Sequence, residues 1–422
     1  MAKAILIAAP HSGSGKTLIT LGLIRALRNR GLKVASAKVG PDYIDGRFHE
    51  AASGAPCINL DYWAMGAEAC KARIVEIEAD IIIVEGVMGL FDGPDGAKGS
   101  TADLAEALEL SIILVIDAAK QAQSVAAIVH GFSTFRPSLN IAGVILNRVA
   151  SDRHAKMLND SLDSTILGVM RQSDSLVWPS RHLGLFQAQE NQHLEAFIES
   201  AASGVSRETI LDKIIETASE ITNQPKRGHK ILPPLAQKIA IAQDLAFAFA
   251  YPHLLNEWRQ QGAQLSFFSP LNNETPQGDA IFLPGGYPEL HAGKLSSNTN
   301  FLNALRQHKG LIYGECGGYM VLGHAIVDAD GKSHAMAGLL AVTTCFAERK
   351  LHLGYRKLKP LNAPWTSELR GHEFHYSSIV SQGAADPLFH ASDAGGNDLG
   401  PIGQRVGTVM GSFAHIISVA PS

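Results

Sequence analysis

Two stretches of the chain set reactive side chains among glycines. The first, PHSGSGKT at 10–17, follows an apolar run and precedes an amphipathic one. In such a loop the backbone N–H groups of Ser12, Gly13, Ser14 and Gly15 can cradle a nucleotide's phosphates. Lys16 can neutralise the β- and γ-phosphates, and the Thr17 hydroxyl suits Mg2+. Pro10 stands where the first glycine of GxxxxGK[ST] usually sits. The second stretch, GECGGYMVLG at 314–323, puts Cys316 at a glycine-flanked turn from a short apolar run into a helical pattern. An elbow of this kind exposes a nucleophile, and a helix N-terminus behind it is expected to lower the thiol pKa.

Other residues have the chemistry to serve these two. In LPGGYPE at 283–289 a Gly-Gly turn can aim the N–H of Gly286, with that of Gly317, at a developing oxyanion. His415, in GSFAH near the C-terminus, can take the Cys316 proton. Glu85 ends the apolar run 81–84, and Asp42 and Asp45 lie in GPDYIDG after the run 33–39. Carboxylates beyond the ends of such strands supply the hard oxygen ligands that Mg2+ prefers, so Thr17, Asp42 and Glu85 are the candidate metal residues. Asp42 and Asp45 equally suit the capping of a turn.

The elements that must position these groups are legible as a pattern. Apolar runs at 4–9, 33–39, 81–85, 112–117 and 141–147 alternate with amphipathic stretches such as 17–30 and 101–108. Fully apolar strands separated by helices predict a parallel, doubly wound α/β sheet covered on both faces. TNQPKRGHKILPPLAQ, from 222, has no periodicity and reads as a linker. The expected organisation is an ATP-binding domain at 1–222, a linker at 223–237 and a second α/β domain at 238–422. That second domain opens with a strand at 238–243 and a helix near 253–262, and is strand-rich after about 340.

Composition narrows the classes. At 422 residues the chain is long enough for two or three cores. A formal net charge of −4 without a basic block gives no footprint for nucleic acid. Four scattered cysteines without a CxxC pair fit a reducing compartment. No apolar run approaches a membrane span, and the opening MAKAILIAAP has no leader-like apolar region, so a cytoplasmic, non-membrane protein is expected. A symmetric dimer is the default expectation for assembly.

The ordered motifs APHSGSGKT, KVGPDYIDGRFH, VEGVMGLFDG, LPGGYPELHAGKLS, GECGGYMVLG, HLGYR, GHEFHYS and GSFAH carry a resemblance over essentially the whole chain. The first half resembles the dethiobiotin-synthetase-like P-loop domain and the second a class I glutamine amidotransferase domain. Together they resemble the cobyrinate/hydrogenobyrinate a,c-diamide synthase family. The resemblance implies a carbon–nitrogen ligase that uses ATP with Mg2+ and L-glutamine to amidate the a and c acetates of a tetrapyrrole-derived macrocycle, a corrinoid precursor. Cys316 would hydrolyse glutamine, with His415 as its base, and the ammonia would attack an acyl phosphate in the other domain. Asn147 matches the position that reads the adenine in dethiobiotin-synthetase-like proteins, and equally suits a helix N-cap. Tyr43, Asp45 and His49, read as a loop after the second strand, and Asp92 are the candidates for the macrocycle. Many class I glutaminases carry a glutamate two residues after the histidine, where this chain has Ile417. Either a dyad operates or another acid, with Glu373 a candidate, orients the ring. His372 and His375 fit catalysis or a satisfied core.

SGAPCINLDYWAM and GYRKLKPL tip the resemblance to hydrogenobyrinate, with cobyrinate as the alternative and nickel-sirohydrochlorin as a third acceptor. A P-loop partitioning or carrier ATPase would leave Cys316, the 285–286 turn and His415 unexplained. A decayed, regulatory glutaminase is at odds with an intact nucleophile and histidine, and cobyric acid synthase is longer with different first-half motifs.

Overall fold

The structure, a computed structural model, describes residues 2–173, 176, 193–206, 208–221 and 228–421. Of the stretch read as a linker, 223–227 lies outside the described residues. The chain forms two compact units, one of Met1–Gly93 and Ala97–His229, the other of Pro94–Gly96 and Lys230–Ser422. No helix among the described residues is long and apolar enough to cross a membrane.

The first unit runs β1 (Lys3–Ala8), α1 (Lys16–Asn29), β2 (Val34–Val39), α2 (Asp45–Ser53), β3 (Cys57–Leu60), α3 (Tyr62–Val75), β4 (Ile81–Glu85), α4 (Thr101–Leu108), β5 (Ser111–Asp117), α5 (Val125–Thr134), β6 (Ile141–Val149), α6 (Asp152–Ser161), β7 (Ile166–Arg171), α7 (Leu194–Val205), α8 (Glu208–Thr217) and β8 (Ser219–Glu220). The sheet order is β3-β2-β4-β1-β5-β6-β7, with β8 pairing the start of β1. Neighbours along that path are parallel. Every residue of β2 and β4 is buried, as a sheet covered on both faces requires. Since β1 lies between β4 and β5, the loops leaving these three strands share one end of the sheet, where ligands bind in such folds. The sequence reading differs at 41–53: Asp45 and His49 lie in α2, not in a loop. The segment DGRFHEAAS has a near-neutral, glycine-broken pattern, so its helicity comes from packing on α1 and β2 rather than from periodicity.

The second unit runs β9 (Lys238–Ala242), α9 (Pro252–Gln260), β10 (Gln264–Phe268), β11 (Ala280–Leu283), α10 (Ala292–Ser297), α11 (Thr299–Gln307), β12 (Leu311–Glu315), α12 (Gly317–Leu322), β13 (Ala325–Val327), β14 (Ser333–Ala335), β15 (Val342–Cys345), β16 (His352–Pro360), β17 (Leu369–His375), β18 (Ser378–Gln382), β19 (Phe389–Ser392), β20 (Asp398–Ile402), β21 (Gln404–Val406), β22 (Val409–Ser412) and β23 (His415–Val419). Its central sheet is β10-β9-β11-β12-β22-β21, flanked by the sheets β20-β19-β16-β17-β23 and β14-β13-β15-β18. Phe247, Leu283, Phe301, Tyr319 and Met320 belong to one buried cluster. Two registers matter for chemistry: Glu315 lies beside Ser412, and His372 beside His415.

Candidate active site

In the first unit the loop after β1 takes up left-handed backbone at Gly13 (φ 82°) and Gly15 (φ 94°). Pro10 is accommodated because the loop's positive φ falls at these two positions and not at residue 10. Ser14 is fully buried and its hydroxyl donates to the His11 carbonyl at 2.9 Å. Lys16 reaches across to the Met88 carbonyl at 2.5 Å. Met88 itself holds φ 52°, so the 86–92 loop is kept under local strain beside the phosphate loop. Burial lowers the Lys16 pKa, with Lys38 adding to the effect against Glu85 and Asp45.

Glu85 is fully buried at the tip of β4. Its Oε1 accepts from the Thr17 hydroxyl at 2.7 Å and from Lys38 Nζ at 2.9 Å, and its Oε2 lies 2.6 Å from His49 Nε2. Burial alone would raise the carboxyl pKa, but Lys38 and His49 hold it far below the usual range. Lys38, which the sequence reading passed over, also donates to Asp45 at 2.7 Å. Burial and the nearby Asp42 outweigh Lys38 and push Asp45 up to about 7. Thr17 and Glu85 thus make an oxygen pair that fits Mg2+. Asp42, a quarter exposed, lies with Oδ2 3.8 Å from Lys38 Nζ, and its Oδ1 accepts the N–H groups of Ile44 and Asp45 at 2.8 and 3.0 Å. His49 is fully buried against Glu85 and Cys57, and Tyr43 is buried as well, so neither presents the open edge expected of a macrocycle contact. Asp92 is exposed and its Oδ2 accepts the Gly89 N–H at 2.8 Å.

Asn147 caps no helix, since Ser151 caps α6. It is buried, and its Nδ2 donates to the Ser14 carbonyl at 3.0 Å. Arg148, another residue missed from sequence, has φ 58° and ties Gly13 O (3.0 Å) to Asp117 Oδ2 (2.6 Å). The two residues brace the phosphate loop from the end of β6.

In the second unit Cys316 joins β12 to α12 with φ 47° and ψ −107°, the strained elbow that its glycine neighbours imply. The close fit explains the glycines. A Cβ on Gly318 would lie 1.9 Å from the Leu283 carbonyl, and one on Gly317 would lie 3.1 Å from the Gly286 nitrogen. The Gly286 nitrogen thus lies close to Gly317, whose own N–H meets the Cys316 thiol. Burial raises the thiol pKa strongly, and the Gly317 N–H that opposes this is outweighed. Gly285 packs on the histidine: a Cβ there would lie 2.2 Å from His415 Cε1 and 3.2 Å from Cys316 Cβ. Burial, then the charges of His372 and His375, press His415 down to about 3, so the ring rests neutral.

Glu373 does not orient His415. It binds Arg356 Nε at 2.7 Å and His375 Nε2 at 2.9 Å. His375 also meets Ser377 Oγ at 3.0 Å and stacks on Phe413 and His352, with centroids 3.9 and 4.6 Å apart. His352, Glu373 and His375 bring ligand atoms within 4.8 Å of one another. The His352 and His375 rings are inclined by only 9°, however, so their in-plane lone pairs do not converge on one ion. This group is a stacked, hydrogen-bonded wall of a cavity of about 210 Å3, which Tyr319 and Phe413 also line.

Comparison with known proteins follows this division. Residues 5–186 match the family model of a CobQ/CobB/MinD/ParA nucleotide binding domain, and 238–421 that of a CobB/CobQ-like glutamine amidotransferase domain. The chain is 52% identical over 432 residues to a hydrogenobyrinate a,c-diamide synthase of Brucella anthropi, covering 98% of each. It is 51% identical to the synthase of that name in Rhizobium meliloti, again over 98% of each, and 43% identical to the one in Mesorhizobium japonicum over 99% of each.

Proposed function

The chain belongs to the cobyrinate/hydrogenobyrinate a,c-diamide synthase family, and on that premise we propose that it converts the a and c acetates of hydrogenobyrinate to amides at the expense of ATP and glutamine. The observation that carries this reading is full-length identity above 50% to synthases of that name, in a chain whose phosphate loop and cysteine elbow are both intact.

A carboxylate resists attack by ammonia because oxide is a very poor leaving group. Transfer of the ATP γ-phosphoryl group to a carboxylate oxygen, with ADP departing, gives an acyl phosphate. Ammonia then attacks the acyl carbon and inorganic phosphate leaves. Lys16 and the amides of residues 12–17 stabilise charge during the transfer, which is mostly positioning and electrostatics. Thr17 and Glu85 would hold Mg2+, which would screen the phosphate charge. Lys38 and His49 keep Glu85 ionised for that task. Asn147 holds the loop through Ser14 at the edge where a nucleotide base would lie. Asp45, 24% exposed, and Asp92 are assigned to the acceptor, whereas His49 positions Glu85.

At the other centre Cys316 Sγ attacks the glutamine side-chain carbonyl while its proton passes to His415. The amides of Gly286 and Gly317 meet the oxyanion, ammonia leaves with that proton, and water releases glutamate from the thioester. Making ammonia on the same chain matters because at neutral pH free ammonia is almost entirely ammonium. The reading places the protein in the cytoplasm.

The test is ADP release with glutamine, Mg·ATP and either hydrogenobyrinate or cobyrinate, with Cys316→Ser in parallel. Turnover with hydrogenobyrinate, lost in the variant with glutamine but kept with ammonium chloride, is the expected result. Turnover with cobyrinate alone would replace the acceptor, and glutaminase activity retained by Cys316→Ser would overturn the nucleophile.

A further inference from the structure

The imidazole that receives the thiol proton needs a partner for its second nitrogen, and the two positions where one is expected are ruled out. Ile417, two residues beyond His415, is apolar, and Glu373 is committed to Arg356 and His375. The carboxylate that stands at the ring is that of Glu315, the residue immediately before the nucleophile.

Glu315 is 2% exposed at the tip of β12. Its Oε1 accepts the Ile416 N–H at 3.1 Å, and its Oε2 lies 3.9 Å from His415 Nδ1. The placement follows from the sheet: β12 and β22 align Glu315 with Ser412, and Cys316 N donates to the Ser412 carbonyl at 2.8 Å. The carboxyl is therefore anchored to the backbone of the very segment that carries the histidine, one residue away from the ring. The approach is to Nδ1, which leaves Nε2 for the thiol, and Gly285 packs against the Cε1–Nε2 edge. A gap of 3.9 Å is longer than a hydrogen bond, and catalytic bonds of this kind commonly tighten when substrate arrives.

We propose that Glu315 is the positioning residue for His415, holding the ring so that Nε2 faces Cys316 and stabilising the imidazolium formed when the thiol proton moves from Sγ to Nε2. The inference rests on the reading of Cys316 as the glutaminase nucleophile. Buried surroundings make the arrangement responsive. Burial pushes Glu315 up to about 8 and His415 rests neutral, so at pH 7–8 the ionised share of Glu315 faces His415 Nδ1 and can meet the positive charge that the thiol proton brings to the ring. The other groups facing this centre are His372, His375 and Glu373 towards His415, Glu289 and Glu373 towards Cys316, and Tyr313 towards Glu315.

The experiment is alkylation of Cys316 by iodoacetamide in the full-length protein, followed by mass spectrometry of its peptide from pH 5 to 10. It is run beside glutamine-driven and ammonium-driven ADP release. Glu315→Gln is expected to slow Cys316 alkylation at pH 7–8 at least tenfold and to move the rise in reactivity to higher pH. Glutamine-driven kcat should fall 10- to 100-fold with KM for glutamine within threefold, ammonium-driven turnover should be unchanged, and Glu315→Asp should recover part of the loss. In a His415→Asn background the same Glu315→Gln change should have no further effect on alkylation, because Glu315 acts through the ring. Full additivity in that background, or an unaltered alkylation profile in folded Glu315→Gln, would overturn the assignment. Should Glu315→Gln fail to fold, Glu315→Asp and the His415→Asn pair still decide it. Loss of the underlying reading has a separate signature, glutaminase activity surviving in Cys316→Ser.

Discussion

Gly285→Ala offers the most direct test of the second centre, because the structure sets its size. The added methyl would stand 2.2 Å from His415 Cε1, 2.9 Å from Nε2 and 3.2 Å from Cys316 Cβ. Carbon atoms in contact rest at about 3.5–4.0 Å, so the ring or the turn must retreat by more than ~1 Å. His415 is fully buried, and a Cβ on Gly371 would meet its backbone carbonyl at 2.7 Å. A misplacement of about 1 Å in a catalytic group costs roughly 100-fold in rate, or about 2.7 kcal/mol. Overpacking of this kind should also destabilise the fold by about 1–3 kcal/mol. Gly285 is absent from the positive-φ residues, so the effect comes from the clash and not from backbone preference. The assay is ADP release from glutamine and from ammonium chloride in the same preparation. Glutamine-driven turnover should fall about 100-fold while ammonium-driven turnover stays within twofold. Retention of glutamine-driven activity within threefold in a stable Gly285→Ala protein would refute the placement of His415 against the 285–286 turn.

Other perturbations separate the two centres. Gly15→Ala forces a side chain into φ 94° and brings Cβ to 2.1 Å from Asn147 Nδ2, adding about 1–2 kcal/mol of strain and breaking the brace to Ser14. Titration calorimetry should show Mg·ATP affinity down at least tenfold, with glutaminase activity intact. Lys38→Met leaves the buried Glu85 with only Thr17 and His49 as partners and removes the cation from half-buried Asp45. It should cost about 3–5 kcal/mol in urea unfolding at pH 7, and an unchanged midpoint would contradict the network. Glu373 is raised by burial but held at about 2 by its His375 hydrogen bond and Arg356. A carboxyl depressed from 4.5 contributes stability above the unfolded pKa and loses it as pH falls towards 2. The stability difference between wild type and Glu373→Gln, at most about 3 kcal/mol, should therefore shrink between pH 5 and 3.

What was legible in the sequence follows from how local each signal is. The apolar run 81–84 reads as a strand buried on both faces without any knowledge of its neighbours, and a carboxylate ending it stands out for the same reason. The phosphate loop and the cysteine elbow are local too, since glycines at 13, 15, 317 and 318 answer constraints set within a few residues or by one facing turn. Lys38 gives no such signal. It is a lone lysine in VASAKV, and only the alignment of β2 beside β4, which makes Lys38 and Glu85 direct register partners, turns it into the cation of the metal-facing carboxylate. The same lysine gathers Asp45 at 2.7 Å and Asp42 at 3.8 Å, while His49 from α2 is buried against Glu85.

Glu315 makes the point more sharply, because it is the nearest residue to the nucleophile and yet its sequence context points nowhere. Its two oxygens are engaged by residues 100 and 101 positions later, through the β12–β22 pairing that carries the chain on to His415. A histidine held by a glutamate two residues ahead on its own strand can be found by spacing. One held from the nucleophile's strand is found only through register, and substitutions that shift β22 relative to β12 should then uncouple the histidine while leaving Cys316 in its elbow.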